Sequence, residues 1–70
     1  MDTNIISIRI KEIRKENHLS QSEFGKLLSV SQDNVSLWEV GKSFPSIQHV
    51  ILIAKTFNVS SDYILGISDF

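Results

Sequence analysis

Apolar residues along this chain recur with helical rather than strand period, so the pattern predicts an all-α fold. Ile6, Ile10 and Ile13 stand at i, i+4 and i+7 of a first helix from about Asn4 to Asn17. Phe24, Leu27 and Leu28 form the apolar stripe of a second helix, in which Gly25 leaves room for another helix to approach closely. Val35 and Trp38 face inward on a third, from Gln32 to about Val40, and Gln32, Asp33, Ser36 and Leu37 fall on its other side. Ile47, Val50, Ile53, Ala54 and Phe57 make the stripe of a fourth, and a short fifth runs from about Ser61 to Leu65.

Polar punctuation sets where these helices begin and end. Ser20-Gln21-Ser22-Glu23 is a capping box, in which the Ser20 hydroxyl takes the Glu23 amide and Glu23 reaches back. Ser31, Ser46 and Ser60 are N-caps for the third, fourth and fifth helices, and Pro45 precedes the fourth. Gly41 caps the third helix in a left-handed conformation, and Gly66 stops the fifth. The second and third helices are thus joined by a tight turn of Ser29, Val30 and Ser31, with Val30 as its apolar plug. A pair of short helices held this way presents its second member to a groove.

At 70 residues the chain is read as one domain, 1–70, near the lower size at which a single core folds unaided. Cysteine is absent, which excludes a disulfide framework and a thiolate metal site. Its longest wholly apolar run, Val50 to Ala54, falls far short of a membrane span, and the N-terminus carries no basic-then-apolar signal pattern. The expectation is a soluble cytoplasmic protein. His18 and His49 are isolated, no G-x-S-x-G elbow surrounds any serine, and the glycines stand apart, so no catalysis and no cofactor or metal is expected.

Leu19-Ser20-Gln21, Val30-Ser31, Val35, Trp38-Glu39-Val40-Gly41-Lys42, Pro45, Ile53-Ala54, Val59-Ser60 and Asp62-Tyr63-Ile64-Leu65-Gly66 occur in the order and spacing of a known pattern. Over about Ile6 to Gly66 the chain resembles the Cro and phage-repressor type of helix-turn-helix domain, the Xre family. That resemblance implies a compact five-helix lambda-repressor-like domain, with the helix-turn-helix at about 21–40 and its third helix in the DNA major groove. It further implies sequence-specific binding of double-stranded DNA by a transcriptional regulator, a repressor that occupies a promoter or an activator that touches polymerase; the few cationic contacts favour a homodimer on a palindromic operator.

Individual side chains acquire expected roles in that light. Gln32 can pair bidentately with adenine N6 and N7 and is the leading base reader. Asp33 departs from the family's neutral or basic residue: it repels phosphate, and either accepts a bond from cytosine N4 or only stabilises the helix start. Asn34 and Ser36 suit base edges or sugar-phosphate, Asn34 being assigned to phosphate and Ser36 to bases. Leu37 either touches a thymine methyl or packs at the edge of the core. Gln21, Lys42 and Ser43 occupy positions that contact phosphate in relatives, Gln21 with its amide and helix N-terminus turned outward, and Phe44 adds no charge beside them. Arg14 and Glu39 match a partly buried ion pair that joins the first helix to the third.

Charge resists this picture. Seven Lys and Arg against eight Asp and Glu leave a net charge of −1, where a nucleic-acid module more often has a basic excess. Arg9, Lys11, Arg14, Lys15, Lys26 and Lys42 can form a local positive rim, or an ordinary mixed surface interleaved with Glu12 and Glu16. Apolar residues are also in surplus: Ile5, Ile8, Leu27, Leu37, Ile51, Leu52, Ile67 and Phe70 do not all fit inward stripes. Ile64, Ile67 and Phe70 are expected to serve dimerisation. The alternative is a protein-interaction module, antitoxin-like or a regulatory partner protein.

Overall fold

The computed structural model describes residues 4–70; Met1 to Thr3, the start of the expected domain, lie outside them. Five helices follow one another: α1 Asn4–Glu16, α2 Gln21–Leu28, α3 Gln32–Val40, α4 Ile47–Phe57 and α5 Ser61–Leu65. No strand occurs among the described residues.

Serine begins four of the five helices by the same device. Ser20, Ser31, Ser46 and Ser60 each hold an extended backbone and accept the amide of the third helical residue, Glu23, Asn34, His49 and Tyr63 respectively. Only α2 completes the box, with Ser20 N donating to Glu23 Oε1 at 2.8 Å. Ser29, Gly41, Asn58 and Gly66 end α2 to α5 in the left-handed region. For Ser29, at φ 59°, the strain is offset by its amide bonding back to the Gly25 and Lys26 carbonyls.

Ile6, Ile10 and Ile13 of α1, Phe24 and Leu28 of α2, Val35 and Trp38 of α3, Val50 and Ile53 of α4, and Ile64 of α5 form one buried cluster. Phe24 stacks on Phe57 with ring centroids 5.2 Å apart, which joins α2 to α4. Two expected stripe members are not buried: Leu27 is 52% exposed and Ile47 76%. Each sits at the margin of its helix's apolar arc, to one side of the buried members, Phe24 and Leu28 on α2 and Val50 and Ile53 on α4. Ile5, counted as surplus, packs against the core instead.

Gly25 owes its smallness to the turn rather than to a crossing helix. A Cβ there would stand 2.6 Å from the Val30 carbonyl oxygen, because the chain doubles back and Val30 N donates to Gly25 O. At Gly66, φ is 78° and a Cβ would overlap Ile5, so the end of α5 lies directly on the start of α1. Arg9 fastens the same joint: its Nη1 donates to Tyr63 O at 2.7 Å and Ser68 O at 3.1 Å. Its guanidinium lies 4.0 Å from the centre of the Tyr63 ring. Arg9 is therefore spent on α5 and does not belong to a DNA-facing rim.

Candidate nucleic-acid interface

α3 is wedged against α1 and α2 by one side and open along the other. Val35 is wholly buried and Trp38 nearly so. Gln32, Asp33 and Asn34 in the first turn are exposed, Ser36 is half-buried, and Leu37 and Val40 are 38% and 64% exposed. Asp33, Ser36, Leu37 and Val40 follow at i, i+3, i+4 and i+7, so they share one outward face. Val40 is the member that sequence reasoning missed, although its spacing from Asp33 and Leu37 already marked it.

A carboxylate fixes how this helix sits. Glu39 Oε2 accepts from Arg14 Nε at 2.7 Å and Glu39 Oε1 from Arg14 Nη2 at 3.0 Å, a bidentate fork. Arg14 Nη1 also donates to Leu19 O at 2.9 Å, just ahead of α2. The two side chains are 13% and 4% exposed. Hydrogen bonding to Glu39 raises the Arg14 pKa above its ordinary value, which holds the guanidinium charged. Arg14 is thus occupied within the protein, as Arg9 is.

Gln21 differs from its expected pose. Its Nε2 lies 3.3 Å from Glu39 Oε1 and the residue is half-buried, so the amide turns inward on Glu39 instead of outward to solvent. The reason is electrostatic: a buried carboxylate already taking two guanidinium bonds still has acceptor capacity, and the amide supplies a donor. Lys42 is exposed and Ser43 half-buried immediately past α3, with both backbone amides donating to Leu37 O, at 3.0 and 3.3 Å. Phe44 is 42% exposed. Lys26 on α2 is exposed.

Other chemistry is sparse. His49 is half-buried, its Nδ1 2.8 Å from Ser46 Oγ and its ring 5.5 Å from that of Trp38, and so belongs to the start of α4. His18 is exposed at φ 57°. Among the described residues no group of three or more His, Cys, Asp or Glu could hold a metal. No described helix is long and apolar enough to cross a membrane.

A helix-turn-helix family model matches residues 10–64, and the chain belongs to this family. It is 31% identical over 65 residues to repressor protein C2 of Salmonella phage P22, spanning 93% of this chain and 30% of that one. Antitoxin PezA of Streptococcus pneumoniae is 36% identical over 62 residues, 89% of this chain and 39% of the antitoxin. The chain thus spans well under half the length of these relatives. Its fold is lambda-repressor-like: it matches the crystal structure of the P22 c2 repressor in complex with a synthetic operator at a TM-score of 0.81 and 30% identity, covering 87% of this chain and 92% of that one. The family is a DNA-binding regulator fold rather than an enzyme class.

Proposed function

We propose that this domain binds double-stranded DNA sequence-specifically, inserting α3 into the major groove, and regulates transcription as a repressor. The observation that carries the proposal is the polarity of α3: its inner side is core, while Gln32, Asp33 and Asn34 project into solvent from a first turn capped by Ser31. Supporting it, a solved relative of like fold, the P22 c2 repressor, is seen in complex with a synthetic operator.

Within that reading, Gln32 pairs with adenine and Asp33 accepts from cytosine N4, with Ser36 and Leu37 completing the base-facing set. Asn34, Lys42 and Ser43 contact phosphate, and Gln21 contributes through the N-terminus of α2 rather than through its amide. Arg14 and Glu39 orient α3 and touch no DNA. With Arg9 and Arg14 both committed internally, Lys26 and Lys42 are the cations nearest in sequence to α3. One domain therefore binds weakly, and a homodimer on two half-sites about 34 Å apart restores affinity. Ile64 cannot serve that dimer, because it is fully buried. Available to it are the exposed Ile67 and Phe70 and the apolar face of Pro45, Ile47, Ile51 and Leu65 around a cavity of about 190 Å³. The same face motivates the second reading, capture of a regulatory protein partner.

Selection from a random duplex pool at low and moderate salt tests the proposal. Enrichment of a palindrome supports it, and the spacing of the two halves reports the dimer. No enrichment at either salt overturns it in favour of the protein-interaction module.

A further inference from the structure

The chain leaves α5 through a turn that one side chain fastens to α1. Gly66 N donates to Tyr63 O at 3.1 Å, and Ile67 N and Ser68 N donate to Asp62 O at 2.9 and 3.2 Å, so these amides only close the end of α5 on itself. Phe70 N donates to Ser68 Oγ within the same segment, and Ser60 Oγ, the cap of α5, donates to Phe70 O. Among the described residues, Arg9 alone ties residues 66–70 to another helix by a hydrogen bond. Its Nη1 bridges the carbonyls of Tyr63 and Ser68, which flank Gly66 and Ile67 on either side. The guanidinium lies against the Tyr63 ring, whose hydroxyl donates to Glu12 Oε2 at 3.0 Å, about one turn further along α1.

Ile67 therefore combines an anchored backbone with a side chain that is 66% exposed. Ordering a loose segment costs conformational entropy when a partner covers it, and a backbone already held avoids that cost. Two residues before it in the chain, Leu65 lines a hollow with Pro45, Ile47 and Ile51 in which no charged side chain takes part. A surface of this kind suits a second copy of the chain, since a two-fold interface sets the same uncharged patch against itself and buries each of its residues twice. Resting on the homodimer proposed above, we infer that Arg9 is a positioning residue for dimerisation. It acts through Ile67, holding that side chain where the second copy meets it.

Palindromic and half-site duplexes separate this role from a merely structural one. On the palindrome selected from the random pool, Ile67→Ser should weaken binding about tenfold or more, the value of one large apolar side chain left uncovered. Arg9→Met, which keeps an apolar stem and removes the donors, should do the same. On a duplex carrying one half-site both variants should bind as wild type does, because a single domain makes that complex. The double variant should lose no more on the palindrome than the weaker of the two singles, as two residues acting through one contact are not additive. Equal losses on palindrome and half-site, additive losses, or an unchanged palindrome affinity for Arg9→Met would overturn the inference. Hydrogen exchange of the wild type tests it without any variant: the Ile67 and Ser68 amides should be protected, and exchange at the free-chain rate would show that the segment is not held. A wild type that binds the palindrome no more tightly than the half-site would instead remove the homodimer reading, and this inference with it.

Discussion

Glu39 gathers two Arg14 bonds and one from Gln21, so a single carboxylate joins α1, the start of α2 and the last turn of α3. Removing it strands a guanidinium that is largely buried, and Glu39→Ala should lower unfolding free energy by about 3–5 kcal/mol in denaturant titration. An unchanged midpoint would show that Arg14 finds other partners at no loss. Gln21 was the residue whose orientation could not be read from sequence. Whether its amide meets solvent or Glu39 depends on residues 18 positions apart being brought together, which no local pattern encodes. Glu23, by contrast, was legible, because its partner Ser20 lies within the same turn. Accepting the Ser20 amide and hydroxyl-side contacts holds the Glu23 carboxyl below the ordinary carboxylate range. With the folded value lowered, its contribution is present above the unfolded value and is lost as pH falls through the folded one. Wild type should therefore melt higher than Glu23→Ala near neutrality and converge with it in acid; a gap independent of pH would refute the capping role.

Element boundaries follow from short-range signals that survive folding. Serine at four N-caps and a left-handed residue at the ends of α2 to α5 leave little freedom in where those helices start and stop. Which stripe residues become core is a tertiary matter. Leu27 and Ile47 have the right period and remain exposed, whereas Ile64, on a five-residue helix with little periodic signal, is fully buried because α5 lies across α1 and α4. The turn between α2 and α3 carries the sharpest prediction at this scale. Gly25→Ala puts a methyl 2.6 Å from a backbone oxygen that cannot rotate away, so the two helices must shift at a cost of about 1–3 kcal/mol. Binding to duplex DNA should weaken further than the fraction unfolded explains, as α3 is displaced; affinity that follows stability alone would argue that the helix pair is not the binding element. Ser31→Ala, which removes the α3 cap, should cost about 1 kcal/mol in the same titration.

Across the whole molecule, charge decides how binding behaves. Counting cations in the sequence overstated the positive rim, since Arg9 and Arg14 are internal ties that only the folded contacts reveal. If Lys26 joins Lys42 as the only cations that neutralise phosphate, beside the uncharged contacts of Asn34, Ser43 and the α2 N-terminus, the plot of log affinity against log salt should slope by about −2 per domain. A slope several units steeper would mean that Lys11, Lys15 or Lys55 also reach the backbone. A shallow salt dependence places the discriminating energy on α3. The most direct test of that claim is the affinity of wild type and Gln32→Ala for the selected operator and for a scrambled duplex of equal length. Wild type should prefer the operator by about a thousandfold or more. The variant should bind the scrambled duplex unchanged and lose about 1–3 kcal/mol on the operator. Equal affinity of the variant and wild type for both duplexes would contradict base reading by the first turn of α3.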